Sequence, residues 1–359
     1  SAIQRNRERY AALRNLPIPY DTEPAVTFQP FMAGDRPTGA ATPQSALPIR
    51  GPELPEIPDS IEDLAFQPVT VLSRLVERRE VTSTDLTTMY LNRLIRYGDT
   101  LNCVITLTPE IALSQAARAD QEIQAGRYRG PLHGIPWGAK DLFATRGART
   151  TWGAKPYEFQ IIDSDATVVQ RLREAGAVLV AKLSMGALAQ GGVWFGGSPR
   201  NPWDVSRSSS GSSAGPAAAT AAGLVGFSIG TETLGSIISP SNACGVAGLR
   251  PTYGRVSRHG AMALSWTMDK IGPMCRGVED CALVFNSIYG SDGYDETVVD
   301  APFAWDAEFQ VSRLRVGYIA SELDLPPNGA SSDQRRLWLA QREVLQEALN
   351  RFRELGVAL

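Results

Sequence analysis

Three side chains in this 359-residue chain have the types that amide or ester cleavage requires. Ser236 follows Gly235 in a loop where the backbone N–H groups of Thr233, Leu234, Gly235 and Ser236 can point into one space. That arrangement would stabilise an oxyanion while a serine oxygen attacks a carbonyl. Ser212 sits 24 residues upstream in an earlier Ser/Gly loop. Lys140 ends the apolar, glycine-bounded run Gly130–Lys140, and it is one of only four lysines, with Lys155, Lys182 and Lys270. Most lysines are surface groups. Desolvation in an apolar setting would instead lower its pKa and favour the neutral amine that a base needs. The stretch Ser208–Ser241 connects the two serines. It passes from a Ser/Gly loop through the small-residue run Ala214–Gly223 to the apolar Leu224–Ile229 and a second glycine-bearing loop. A Gly/Ser linker would stay polar throughout.

The motifs Ser210-Gly211-Ser212-Ser213-Ala214-Gly215 and Gly230-Thr231-Glu232-Thr233-Leu234-Gly235-Ser236-Ile237 resemble the amidase signature family. The resemblance runs from about Phe66 to Ile319 and includes Asn201-Pro202-Trp203-Asp204 and Cys244-Gly245-Val246-Ala247-Gly248-Leu249-Arg250-Pro251-Thr252-Tyr253-Gly254. It implies a Ser–cisSer–Lys triad in which Ser236 is the nucleophile, Ser212 the bridging serine after a cis Gly211–Ser212 bond, and Lys140 the base. It also implies an acyl-enzyme on Ser236, with Thr233, Leu234, Gly235 and Ser236 as the oxyanion hole. Glu232 and Leu234 depart from the Asp and second Gly of many members, and the bulk of Leu234 is expected to narrow the pocket. Ile238 and Ser239 stand where members acting on acidic or glutamine-like substrates often carry arginine. That absence favours a neutral or apolar amide, an anilide, an ester or a carbamate over glutamine.

The remaining composition closes other routes. A net charge of −3 offers no basic footprint for nucleic acid. The 43% apolar and 20% charged content is that of a soluble globular protein. Neither transmembrane helix nor signal peptide is evident, and the run Ala214–Gly230 reads as core. His133 and His259 are the only histidines, so a multi-histidine metal site is not expected, and no cofactor is called for. A Ser-His-Asp triad with His259 lacks a GxSxG elbow. Lys140 is not in a P-loop, and no GxGxxG follows a strand. The four cysteines, Cys103, Cys244, Cys275 and Cys281, lack CxxC spacing and read as reduced core residues. A cytoplasmic setting is favoured, or an exported one if a leader was removed before Ser1.

The elements that must position these groups read as α/β, with a mixed, largely parallel sheet flanked by helices. Residues 1–65 are expected to form a proline-rich arm, since Pro17–Pro68 holds eleven of 24 prolines. A short helix is expected over 1–16, from the spacing of Tyr10, Leu13 and Leu16. Residues 66–359 are expected to form the amidase domain, lacking its C-terminal part. Helices are expected from Ser83 or Thr84 to Tyr97 with Gly98 as stop, over Glu110–Ala125, Thr167–Ala175 and Ser184–Gln190, within Cys275–Asn286, and over Ser332–Leu355. On the first, Leu86, Tyr90, Leu94 and Ile95 should face the core. On the last, Leu337, Val344, Leu345, Ala348 and Phe352 should share one face. Strands are expected at Asn102–Thr108, Ala177–Leu183 and Leu314–Ile319, with another beginning at Val357. Three functions fit this reading: an amidase acting on a small neutral amide, an amide-cleaving component of a glutamyl-tRNA amidotransferase (its A chain), and a non-catalytic binding protein on the same scaffold. Homo-oligomerisation stays open.

Overall fold

The structure is a computed structural model and describes residues 51–306, 308–320 and 329–359, together with Ala11, Pro17, Leu47 and Pro326. The helix expected over 1–16 and most of the proline-rich arm lie outside the described residues. The chain divides into two compact units, Ser1–Trp305 and Asp306–Leu359.

In the first unit the elements are α1 (Val69–Glu77), α2 (Ser83–Leu101), β1 (Val104–Leu107), α3 (Pro109–Gln124), β2 (Pro136–Lys140), α4 (Thr167–Glu174) and β3 (Val178–Leu183). There follow β4 (Arg200–Asn201), β5 (Asp204–Ser208), α5 (Ala214–Ala221), β6 (Phe227–Glu232), α6 (Ile238–Cys244), β7 (Ala247–Gly248), β8 (Lys270–Cys275) and α7 (Val278–Ile288). Six strands form one sheet in the order β1-β3-β2-β6-β8-β7. β3, β2 and β6 are parallel neighbours, while β1 and β8 run against them. Every residue of β2, β3 and β6 is buried, as in central strands covered on both faces.

Register places the chemistry. Trp137 pairs with Phe227 and Ala139 with Ile229, so Lys140 at the end of β2 arrives beside the end of β6. The Trp137 and Phe227 rings stack at 6.1 Å. This is the carboxyl end of parallel strands, where open α/β sheets bind ligands. Helix α5 is built of small residues, and all but Ala221 are buried. Its small side chains allow the close approach that brings the Ser212–Ser213 loop against β6.

Several elements differ from the sequence reading for identifiable reasons. Helix α2 continues through Gly98 to Leu101, capped at its start by Thr82, whose side chain accepts from the Asp85 N–H. A Cβ at Gly98 would lie 3.1 Å from Val104 Cγ2. The glycine therefore marks close packing, and Asn102, at φ 51°, ends the helix. Leu86, Tyr90 and Leu94 are buried, whereas Ile95 is 65% exposed. Strand β8 escapes the sequence pattern because it contains Gly272 and Pro273, residues that strands usually avoid. As a result Cys275 ends a strand and the helix begins at Val278. Ser184–Gln190 contains only a 3-10 turn, Ala187–Ala189, interrupted by Leu188 at φ 52°.

In the second unit, α8 (Ser332–Glu354) is capped by a reciprocal Ser331–Gln334 pair. Leu349 is its buried residue, and Leu337, Val344 and Leu345 are exposed, so the expected apolar face is not covered by the described residues. The strand expected at Leu314–Ile319 is reduced to one parallel bridge between Arg315 and Ala358.

Candidate active site

Lys140 has no solvent exposure. Its Nζ lies 2.8 Å from Ser212 Oγ, 3.0 Å from Ser213 Oγ, 2.8 Å from Thr231 Oγ1 and 3.2 Å from the Thr231 carbonyl. Ser213 Oγ donates to the Thr231 carbonyl at 3.1 Å and receives the Thr231 N–H at 3.2 Å. Its oxygen can therefore also accept from the lysine. A neutral amine has two N–H donors and one lone pair. In that form, with its donors directed at Ser213 and Thr231, the amine would keep its lone pair for the Ser212 hydroxyl, whereas the ammonium donates to all three. Burial pushes the Lys140 pKa down to about 7, and the negative charges of Asp269 and Glu232 partly oppose the shift.

The Gly211–Ser212 peptide bond is cis. A Cβ at Gly211 would fall 2.1 Å from the Gly191 carbonyl oxygen, so only glycine fits there. Ser236 joins this cluster through its backbone, its carbonyl accepting from the Ser213 N–H at 3.2 Å. The structure thus brings Lys140, Ser212 and the Ser236 loop to one place.

The Ser236 loop is held from beneath. Glu232 is buried, and its Oε2 accepts from the N–H groups of Ile237 at 2.8 Å and Ile238 at 2.9 Å. Its Oε1 meets Arg250 at 3.3 Å. Burial alone would raise the Glu232 carboxyl, but the N–H groups of Ile238, Ile237 and Gly235, with Arg250, hold it below its usual value. Asp269 accepts from the Thr233 hydroxyl and from the N–H groups of Leu264 and Ser265. Lys270 Nζ donates to the Thr233 carbonyl at 2.9 Å. Gly235 has φ 90°, a left-handed conformation that glycine alone adopts freely. Leu234 is 81% exposed at the rim and does not fill the space inside the loop.

A second buried lysine stands behind the first. Lys182 Nζ lies 3.0 Å from Asp141 Oδ1, and both side chains are fully buried. Lys182 also donates to Thr150 Oγ1 and the Arg149 carbonyl, and Asp141 Oδ2 accepts from the Thr151 N–H at 2.8 Å. Burial lowers the Lys182 pKa, and Asp141 opposes that. His259 stacks on Tyr294 at 4.4 Å, and His133 is buried with its Nδ1 accepting from the Arg129 N–H. Among the described residues no group of three or more His, Cys, Asp or Glu side chains could hold a metal. No described helix is long and apolar enough to cross a membrane.

The sequence model of the Amidase family matches residues 85–354. The chain belongs to the amidase signature family. Among its relatives, the chain is 46% identical over 230 residues to the A chain of the glutamyl-tRNA(Gln) amidotransferase of Methylococcus capsulatus. That match covers 63% of this chain and 47% of the relative. Identity to the corresponding amidotransferase chain of Geobacter sulfurreducens is 41% over 285 residues, 78% of this chain and 56% of the relative. The native peptide amidase of Stenotrophomonas maltophilia superposes with a TM-score of 0.69 at 33% identity, covering 83% of this chain and 62% of that one. The chain therefore spans about half the length of the curated relatives it matches.

Ser213 and Thr231 belong to the two sequence motifs but carried no role in the sequence reading, yet both touch Lys140. The signal was their position, next to the bridging serine and at the end of the apolar strand. Asp141 and Lys182 offered no such signal, because their pairing depends on the register of β2 and β3.

Proposed function

We propose that this chain cleaves an amide C–N bond through an acyl-enzyme on Ser236. The observation that carries the reading is the buried Lys140 amine, 2.8 Å from the Ser212 hydroxyl. Its pKa near 7 leaves a large neutral fraction at physiological pH. Lys140 takes the Ser212 proton as Ser212 takes the proton of Ser236. The Ser236 oxygen attacks the carbonyl carbon, and the carbonyl π electrons move onto its oxygen. The N–H groups of Thr233, Leu234, Gly235 and Ser236 are the proposed donors to that oxyanion. Of these, Gly235 also faces the Glu232 carboxylate. The relay returns the proton to the leaving amine as the C–N bond breaks, and water then releases the acid by the same route in reverse.

Two substrate readings stand on different observations. The absence of arginine at Ile238 and Ser239 supports a neutral or apolar amide. The names and higher identity of the amidotransferase relatives support glutamine as amide donor within an assembly, and among relatives this second reading has the greater weight. Ammonia release from glutamine, set against release from neutral amides and anilides, separates the two. The shared chemistry is tested with a fluorophosphonate probe followed by peptide mass spectrometry. One adduct is expected on Ser236, lost in Ser236→Ala and at least ~100-fold slower in Lys140→Ala. Labelling of Lys140→Ala at the parent rate would sink the proposed relay.

A further inference from the structure

We infer that the cavity beside Thr231 binds an aromatic, non-anionic portion of the substrate; the inference rests on the hydrolytic reading above. The cavity measures about 430 Å³ and is lined in part by Thr231, Met262, Trp266 and Tyr294. The cavity adjoins the reacting groups through Thr231, a lining residue whose hydroxyl lies 2.8 Å from Lys140 Nζ. An apolar cavity of about 150 Å³ already accepts benzene, so a ring and its substituents fit here.

The walls suit a flat ring. Tyr294 lines the cavity, is 71% exposed, and is backed by His259, on which one of its faces stacks at 4.4 Å and 20°. Trp266 is 79% exposed and Met262 partly buried, the one a rigid plane and the other an adaptable thioether. The loop that carries them is fixed to the oxyanion loop, since Asp269 holds the Leu264 and Ser265 N–H groups and the Thr233 hydroxyl together. A ring seated in this cavity is therefore positioned relative to Ser236.

The charge of the walls excludes a carboxylate. Arg258 is the cationic side chain among the lining residues, against Asp269, Asp295 and Glu296. Its guanidinium is engaged by Asp295 at 2.9 and 3.0 Å. The nearby Lys270 donates to the Thr233 carbonyl, and Arg250 pairs with Glu232. An uncharged or ammonium-bearing ligand meets acceptors and π-faces in this cavity, whereas a carboxylate meets carboxylates without a spare cation.

Calorimetry on Ser236→Ala, which cannot turn over, reads the cavity directly. L-tyrosinamide is expected to bind about tenfold more tightly than L-alaninamide or L-glutamine. Adding Trp266→Ala should remove most of that margin. The Trp266 backbone carbonyl, not its ring, receives the bonds from Tyr253 and Arg258, so the loop should persist, and the melting temperature checks that it does. Adding Glu296→Lys should strengthen glutamine binding several-fold. Equal affinity for glutamine and tyrosinamide, or an undiminished margin in the Trp266→Ala variant, overturns the inference. Fluorophosphonate labelling of the unsubstituted chain is read separately. Absent labelling removes the hydrolytic reading, and with it the inference, whatever the calorimetry gives. Labelling without an aromatic margin removes the inference alone.

Discussion

At the scale of the residue, Lys140 does two opposed things. As a buried amine it can serve as a base near neutral pH, because its pKa is pushed from 10.5 to about 7. The log of kcat/KM on any amide that proves to be a substrate is therefore expected to rise with pH and level off above an inflection near 7. Protonation below that point removes the lone pair aimed at Ser212. The same shift costs stability. The unfolded lysine keeps its proton up to about 10.5, and the folded one only up to about 7, so the unfolded state binds more protons between these values. Stability should rise with pH across that window. Lys182, also lowered by burial, contributes in the same direction. Lys140→Met should abolish turnover and flatten, without eliminating, the increase in urea midpoint between about pH 7 and about pH 9.5. An unchanged slope would mean that the folded amine keeps its proton.

At the scale of the element, the catalytic loop is a clamped span between β6 and α6. Glu232 at the end of β6 holds its far side, and Asp269 and Lys270 at the start of β8 hold Thr233. Asp269→Ala frees the Thr233 hydroxyl and the 264–265 backbone together. The expected result is a loss in kcat of at least about tenfold with the chain still folded by circular dichroism. A second signature separates this from general loosening. Asp269 raises the Lys140 pKa by its charge, so its removal should move the acid limb of the pH profile below that of the parent. A change in kcat with no movement of that limb would argue for misplacement alone. Most of this loop was legible in the sequence, because Gly/Ser motifs announce close approach through the side chains they lack. The clamp was not, since Asp269 and Lys270 open a strand whose pattern Gly272 and Pro273 interrupt. Ile95 misled for a related reason: it shares an apolar character with Leu94 but sits one residue around the helix, facing solvent. Burial of Leu86, Tyr90 and Leu94 at helical spacing was readable, as was the buried, largely apolar β3, because there pattern and packing agree.

At the scale of the whole molecule, the site exists only as a product of the sheet. Lys140 meets Ser212 across 72 residues of chain and Thr231 across 91, and β2 and β6 become neighbours only when the crossover between them is complete. The described end of the N-terminal arm is part of the same core. Leu47 is 5% exposed and belongs to the cluster that includes Val69, Leu72 and Leu75. The Gly51 N–H donates to Glu279 at 2.8 Å, and Arg74 donates to the Pro52 carbonyl. We propose that residues 66–359 carry the catalytic domain and that 1–65 act as an arm, and these contacts set what removing the arm should do. A chain lacking residues 1–46 keeps all of them. A chain lacking 1–65 loses the buried Leu47 and Leu64 side chains, each worth roughly 1.5–3 kcal/mol, together with the Glu62–Arg93 ion pair, the Ala65 carbonyl that accepts from Tyr90 and the bond from Gly51 to Glu279. At about 2–4 °C per kcal/mol for larger domains, those two side chains alone should lower its melting temperature by at least about 6 °C. Labelling of Ser236 should persist below that lower transition, because none of the lost contacts touches β2, β6 or the serine loops. Labelling that vanished while the chain remained folded would mean that the arm belongs to the site.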